Sequence, residues 1–294
     1  MKAAIVASPG RLAMADFLSL TKPRITLLVV ATSLVGFYLG AQQPISGWLL
    51  FHLLLGTALI ASGASALNMV FEWDSDSRMR RTEGRAIPSG RLSVAQGVIF
   101  GTFLCISGAL YLLFLVNLLT GVLSAITALL YLFAYTPLKK KTSLCTVIGA
   151  IPGAIPPMMG WTAVRNSLDF EAWWLFAILF LWQLPHFLSI AWLYREDYAR
   201  GGFPMLPVID KEGNETSRQI ILETLALLCI TLMPAMLGTF GQIYFVGALF
   251  LGLIFLFMGI KLARTKTAQS ARRLLLTSVI YLPSLLVLMM ATKL

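Results

Sequence analysis

Asn68, Glu72 and Asp76 fall four residues apart at the end of a long apolar run, with Asp74 between the last two. On a helix each four-residue step advances about 40°, so the three side chains share one face if the helix continues that far. Asp74 lies about 200° from Glu72 on such a helix and joins the same ligand only where the helix ends or bends. Acidic groups cost about 2.5–3.5 kcal/mol each near the centre of a membrane helix. They persist where they face a polar cavity or bind something. An amide and carboxylates on one face are hard oxygen donors suited to Mg²⁺, which takes one or two carboxylates plus substrate phosphates. Asn68 sits inside the apolar run, where it has no use as loop filler.

Arg78, Arg80, Arg81, Arg85 and Arg91 follow at once. Guanidinium forks match phosphate oxygens, and beside an acid-held Mg²⁺ they make a site for a diphosphate. Neither charge type does this well alone, because bare carboxylates repel phosphate. Acids and arginines alternate again from Tyr194 to Pro207, through Arg195, Glu196, Asp197, Tyr198 and Arg200. Two acidic clusters on one side would allow two metal ions to bridge one diphosphate. Histidine occurs only as His52 and His186. His186, in Gln183-Leu184-Pro185-His186-Phe187, could be a satisfied core group, a proton carrier or a metal ligand. Cys105, Cys145 and Cys229 show no CxxC spacing and read as small buried hydrophobes.

The elements that position these residues are membrane helices. The chain is 58% hydrophobic and 12% charged, against about a quarter charged in soluble domains. Apolar runs of transmembrane length predict nine spans, at 24–41, 48–70, 94–115, 118–136, 145–163, 172–193, 219–239, 242–261 and 273–291. The expected fold is all-α: a polytopic membrane protein of nine transmembrane helices around a central cavity open to the cytoplasmic side. With a cytoplasmic N-terminus, all but two of the 23 basic residues fall on the cytoplasmic side; only Arg165 and Lys293 lie opposite. That is the positive-inside pattern. The net charge of +10 is therefore a topology signal, and no nucleic-acid partner is needed to explain it. Residues 1–23 read as a cytoplasmic segment and 24–291 as one domain in contact with membrane lipid, with the C-terminus on the far side. The long charged loops 71–93 and 194–218 follow spans two and six, which hints at a duplicated four-helix unit plus one helix. Pro152, Pro156, Pro157 and Pro185 interrupt spans five and six, which could bow around a cavity.

The chain resembles the UbiA-like intramembrane prenyltransferases over nearly its whole length. The resemblance rests on Leu20-Thr21-Lys22-Pro23-Arg24, on the pattern of Asn68, Glu72, Asp74 and Asp76, and on Arg81-Thr82 followed by Pro88-Ser89-Gly90. It continues through Tyr135-Thr136-Pro137-Leu138-Lys139, Gln183-Leu184-Pro185-His186-Phe187, and Asp197-Tyr198 followed by Pro204-Met205-Leu206-Pro207. The last two elements resemble the heme-modifying branch. Relatives acting on quinone precursors carry a second D-x-x-x-D; here Leu193 and Asp197 occupy its two acid positions.

The resemblance implies an enzyme of a bacterial-type inner membrane that transfers a farnesyl group from farnesyl diphosphate to a vinyl carbon of heme B, giving heme O and diphosphate. The product would serve a heme-copper terminal oxidase, with heme A synthase or the oxidase assembly as candidate partners. The alternative is a related prenyltransferase with an aromatic or quinone-precursor acceptor. A transporter with an acidic gate fits less well, because these acids cluster at one boundary rather than at the midplane. The implied cofactor is Mg²⁺, held by Asn68, Glu72, Asp76 and Asp197. Lys22, Arg24, Asp74, Arg81, Arg85, Lys139, Gln183, Arg195 and Tyr198 are the implied substrate contacts. Trp182, Trp192, Phe187 and Tyr135 offer π-faces to an allylic cation. His186 is left as an axial ligand to the heme iron or a carrier of protons during water addition.

Overall fold

The computed structural model describes residues 9–42 and 44–293. Lys2, part of the topology signal, and the first eight residues of the expected N-terminal segment lie outside the described residues. Among the described residues, nine helices are long and apolar enough to cross a membrane. A short helix, α1 (Pro9–Leu20), precedes α2 (Pro23–Gly40), α3 (Gly47–Arg78) and α4 (Val94–Leu115). The fourth span runs from α5 (Leu118–Leu129) through one π-helical stretch (Leu130–Tyr135) into α6 (Thr136–Leu138). The fifth is broken into α7 (Cys145–Ala154) and α8 (Pro156–Arg165), and the sixth is α9 (Phe170–Leu193). Short α10 (Arg195–Arg200) and α11 (Leu206–Ile209) lead to α12 (Asn214–Met236), α13 (Gln242–Thr265) and α14 (Ala268–Ala291).

Helix starts follow local chemistry. Ser93 and Gln96 form a reciprocal capping box at α4, and the Asn117 side chain accepts from the Thr120 amide at α5. The loops expected at 71–93 and 194–218 are shorter than expected, because α3 stays helical to Arg78 and α12 begins at Asn214. At 1.5 Å per residue the 32-residue α3 is about 48 Å long, well beyond a hydrocarbon core of about 30 Å. Its last turns therefore carry charge without sitting in lipid.

Two apolar cores share one wall. Val35, Leu39 and Trp161 join α9 and α12–α14 in the larger core. Phe37, Met158 and Met159 join α3, α4 and α5 in the other. Helices α2 and α8 supply both, and they approach closely. A Cβ on Gly36 would lie 1.9 Å from the Pro157 carbonyl oxygen, and one on Gly160 would lie 1.9 Å from that of Ser33. Small residues at such crossings are how membrane helices gain packing without a hydrophobic drive. The proline break at 155–157 is satisfied across this wall, where Ser33 Oγ donates to the Pro156 carbonyl at 3.0 Å. Helices α9, α12, α13 and α14 close on one another as a four-helix unit, while α3, α4 and α5 pack in sequence in the other half. Cys145 is buried, Cys105 is intermediate, and Cys229 departs from the buried reading by being exposed on α12.

Candidate active site

Because α3 continues to Arg78, Asn68, Glu72 and Asp76 do share one face, and all three are buried, at 3%, 2% and 1% exposure. Each meets a cation or donor from another segment. Lys22 Nζ donates to Asn68 Oδ1 at 2.9 Å, and Lys139 Nζ reaches Glu72 Oε1 and Oε2 at 3.1 and 3.0 Å. Arg85 Nη1 donates to Asp76 Oδ2 at 2.5 Å. Asp76 Oδ1 is buried without a hydrogen-bond partner. The same continuity turns Asp74 away: it is exposed and pairs with Arg78 one turn on, at 2.6 Å. No bend brings Asp74 round to the face that Asn68, Glu72 and Asp76 share.

The partners are held by special backbone. Lys22 lies in the left-handed region at φ 46°, ψ 63°, at the corner between α1 and α2. Pro23 pre-sets the first turn of α2, so the lysine must turn back toward α3. Asp16 on α1 pairs with Arg91, tying that corner to the loop after α3 at 2.9 Å. On the other side, Pro137 lacks an amide hydrogen, and the ladder before it widens into the π-helical stretch. Thr136 Oγ1 then donates to the Tyr131 carbonyl at 2.8 Å and accepts from Asn68 Nδ2 at 3.1 Å. Tyr131 and Tyr135 stack with centroids 5.4 Å apart.

Charge is close to balanced here. Three cations (Lys22, Arg85 and Lys139) face two carboxylates. Burial, then the nearby Arg85 charge, lower Lys22 from its ordinary 10.5 to about 8. Burial also opposes the Lys139 charge, but Tyr135 and the Glu72 carboxylate outweigh it, so Lys139 is held more firmly protonated than usual.

The second loop closes over this cluster through aromatic groups. Phe203 lies 4.6 Å from Lys139 Nζ, and Arg81 lies over the Tyr194 and Tyr198 rings at 5.2 and 5.9 Å. Met79, Tyr198, Phe203 and Met205 form one small buried core that joins the two loops. Gly202, at φ +75°, makes the turn that lets Phe203 fold back. Asp197 is largely buried and pairs with Arg200 rather than with the α3 cluster. Arg195 sits over the Trp192 ring at 5.5 Å, and Arg24 is exposed on α2.

Two expected contacts lie deeper. Gln183 is committed to packing: its Nε2 donates to the Leu179 and Ala150 carbonyls at 3.0 and 3.4 Å. Its Oε1 lies where a Cβ on Gly153 would fall, at 1.9 Å. Its amide thus braces α9 against α7. His186 faces α14, where its Nδ1 lies 2.7 Å from Ser278 Oγ. Trp182 stacks on its ring at 4.9 Å. Sequence reading missed Thr136, Tyr131 and Ser278. Thr136 carried a faint signal as a hydroxyl beside proline at a span end; Ser278 carried none.

Among the described residues, no three His, Cys, Asp or Glu side chains converge as a metal group. The fit to Mg²⁺ rests instead on a mixed oxygen set: the Asn68 carbonyl, the Glu72 carboxylate and the unpartnered Asp76 Oδ1. Asp197 is outside that set as the structure stands.

The family model for the UbiA prenyltransferase family matches residues 29–282. A protein of Solibacter usitatus called protoheme IX farnesyltransferase is 48% identical over 290 residues, covering 95% of this chain and 99% of that one. Among solved structures, digeranylgeranylglyceryl phosphate synthase superposes with a TM-score of 0.80 at 16% identity, covering 95% of this chain and 98% of that one. A UbiA homologue from Archaeoglobus fulgidus bound to DMAPP and Mg²⁺ superposes with a TM-score of 0.69 at 12% identity, covering 93% and 98%. The chain belongs to the UbiA prenyltransferase family, and it is a multi-pass membrane protein and a prenyltransferase.

Proposed function

We propose that this member of the family transfers the farnesyl group of farnesyl diphosphate to a vinyl group of protoheme IX, with addition of water, giving heme O and diphosphate. The observation that carries the reading is the buried cluster at the end of α3: two carboxylates and an amide on one face, each met by a cation from elsewhere. It stands in a chain nearly half identical, end to end, to a protein with that activity in its name.

The difficult step is breaking an allylic C–O bond, which leaves charge on the diphosphate oxygens. Lys22, Lys139 and Arg85 are placed to accept that charge, with Arg81 and Arg195 at the rim. Asn68, Glu72 and Asp76 would hold Mg²⁺, and Asp197 joins them if Arg200 releases it. When bound, the ion acts as a Lewis acid toward the leaving group. With the ion held there, Lys139 and Arg85, which now bond Glu72 and Asp76, would be free to bind the diphosphate oxygens. The charges support this: three cations, two carboxylates and a divalent ion sum to the three positive charges that an ionised diphosphate ester requires. Tyr135, Phe203 and the Tyr194–Tyr198 pair line the approach with π-faces and exclude water from the cation.

We place this end of the bundle, and the opening of the cavity, on the cytoplasmic face of a bacterial-type inner membrane. In support, Lys293 reaches the Tyr38 and Ala41 carbonyls at the far end of α2, and Arg165 pairs with Asp169 beyond α8. Both basic residues expected on the far side thus lie away from the cluster. A heme-copper oxidase assembly or heme A synthase is the proposed consumer of the product.

The test is to incubate the purified protein with labelled farnesyl diphosphate and either heme B or 4-hydroxybenzoate, then analyse products by mass. Heme O alone is expected. Label in the phenolic acid alone would replace this reading with the quinone-precursor one.

A further inference from the structure

Deep in the second half, Trp182 and His186 on α9 meet Ser278 on α14 with no charged side chain in the hydrogen-bonded group. Ser278 receives both: Trp182 Nε1 donates to its carbonyl at 2.8 Å, and His186 Nδ1 lies 2.7 Å from its Oγ. The Ser278 hydroxyl itself donates to the Leu275 carbonyl at 2.7 Å. A serine has one hydroxyl hydrogen. With that hydrogen assigned to Leu275, Oγ accepts from His186, and Nδ1 carries the imidazole proton. Nε2 is then left with a lone pair, and it has no hydrogen-bond partner among the described residues. The ring is half-buried rather than sealed. Trp182 lies against one face at 4.9 Å and 23°, and Phe187 stands at 5.7 Å, so the ring plane is fixed as well as its tautomer.

We propose that Ser278 and Trp182 are positioning residues that present His186 Nε2 as an axial ligand to the iron of the heme acceptor. The proposal rests on the reading of the acceptor as heme. A histidine that ligates iron does so as the neutral ring, with its other N–H given to a fixed acceptor. That is the arrangement here. A proton carrier would need a partner to stabilise or receive the proton, and no carboxylate hydrogen-bonds this ring. Iron held at His186, on a different helix from the α3 cluster, restrains the porphyrin while its vinyl edge meets the allylic cation.

The experiment uses the full chain in nanodiscs, titrated with heme B and, separately, with iron-free protoporphyrin IX. Visible and electron paramagnetic resonance spectra report the iron ligand. Wild-type protein is expected to show an imidazole-bound iron that His186→Ala loses. Ser278→Ala is expected to weaken heme B binding about 10–100-fold, the usual cost of removing the group that orients a metal-binding histidine. Iron-free porphyrin should bind all three proteins equally, and Ser278→Thr should restore the wild-type spectrum. If Ser278→Ala does not accumulate, Ser278→Cys, with its weak acceptor, is read the same way. An iron spectrum unchanged by His186→Ala overturns the proposal, as does equal weakening toward the iron-free porphyrin. Imidazole-bound iron in a protein that makes no heme O would instead remove the proposed function and leave this ligand assignment in place.

Discussion

The end of α3 and the His186–Ser278 site are both buried polar groups in an apolar molecule, yet they are built in opposite ways. At the α3 end each buried carboxylate has a counter-charge drawn from a different segment: Lys139 for Glu72 and Arg85 for Asp76. At His186 no charged partner is present, and hydrogen bonds between two helices hold the ring while Nε2 stays without one. Buried charges are tolerable when each is paired, whereas a group without a charged partner relies on hydrogen bonds alone. On the proposed reading the difference also separates two tasks, since a diphosphate needs removable counter-charges and a heme iron needs a fixed neutral ligand.

That contrast can be broken by experiment. The largest effect is expected from Asp76→Asn, which keeps the shape but removes the charge beside the unpartnered oxygen. Turnover should fall about 100-fold or more, the scale of losing one group that stabilises transition-state charge, with heme binding unchanged. Equal loss of heme binding would mean the two sites are not separate. Next is Lys139→Met, which strands Glu72 in the interior. Thermal unfolding in nanodiscs should show a loss of about 3–5 kcal/mol, the cost of breaking a buried pair. Adding Glu72→Gln should recover most of it, and no recovery would show that Lys139 stabilises the fold by other contacts.

A smaller effect concerns pH. Lys22 titrates at about 8, below its ordinary 10.5, so it is charged below that pH and neutral above it. An anionic ligand prefers the charged form. Affinity for farnesyl diphosphate should therefore be level below pH 7 and fall as pH rises through 8, toward about tenfold per unit. Lys22→Arg should flatten the curve. The smallest effect is expected from Asp74→Asn. Its exposed pair with Arg78 is worth about 0–1 kcal/mol, and turnover should stay near that of the wild type.

Much of this was legible in the residues. Span number and the sharing of one face by Asn68, Glu72 and Asp76 follow from hydropathy and the 3.6-residue period. The outward turn of Asp74 was legible as a condition, and the length of α3 decided it. Local pattern did not show that α3 runs eight residues past the expected span, because Lys139 and Arg85 make those turns bearable from outside the helix. The packing role of Gln183 was hidden for a related reason. An amide inside a span looks functional, yet the missing side chain at Gly153 lets it brace the broken fifth span. Ser278 was invisible because its partner is 92 residues away.

The central claim is that the buried oxygens of α3 hold the metal that draws diphosphate away from the farnesyl group. Diphosphate release should be followed in a single turnover by purified protein with heme B, across a Mg²⁺ titration, for the wild type, Glu72→Gln and Asp76→Asn. Saturable dependence on Mg²⁺ in the wild type, shifted to much higher concentration and slower release in both variants, is the predicted result. Release at the wild-type rate by either variant, with the same Mg²⁺ midpoint, would contradict it.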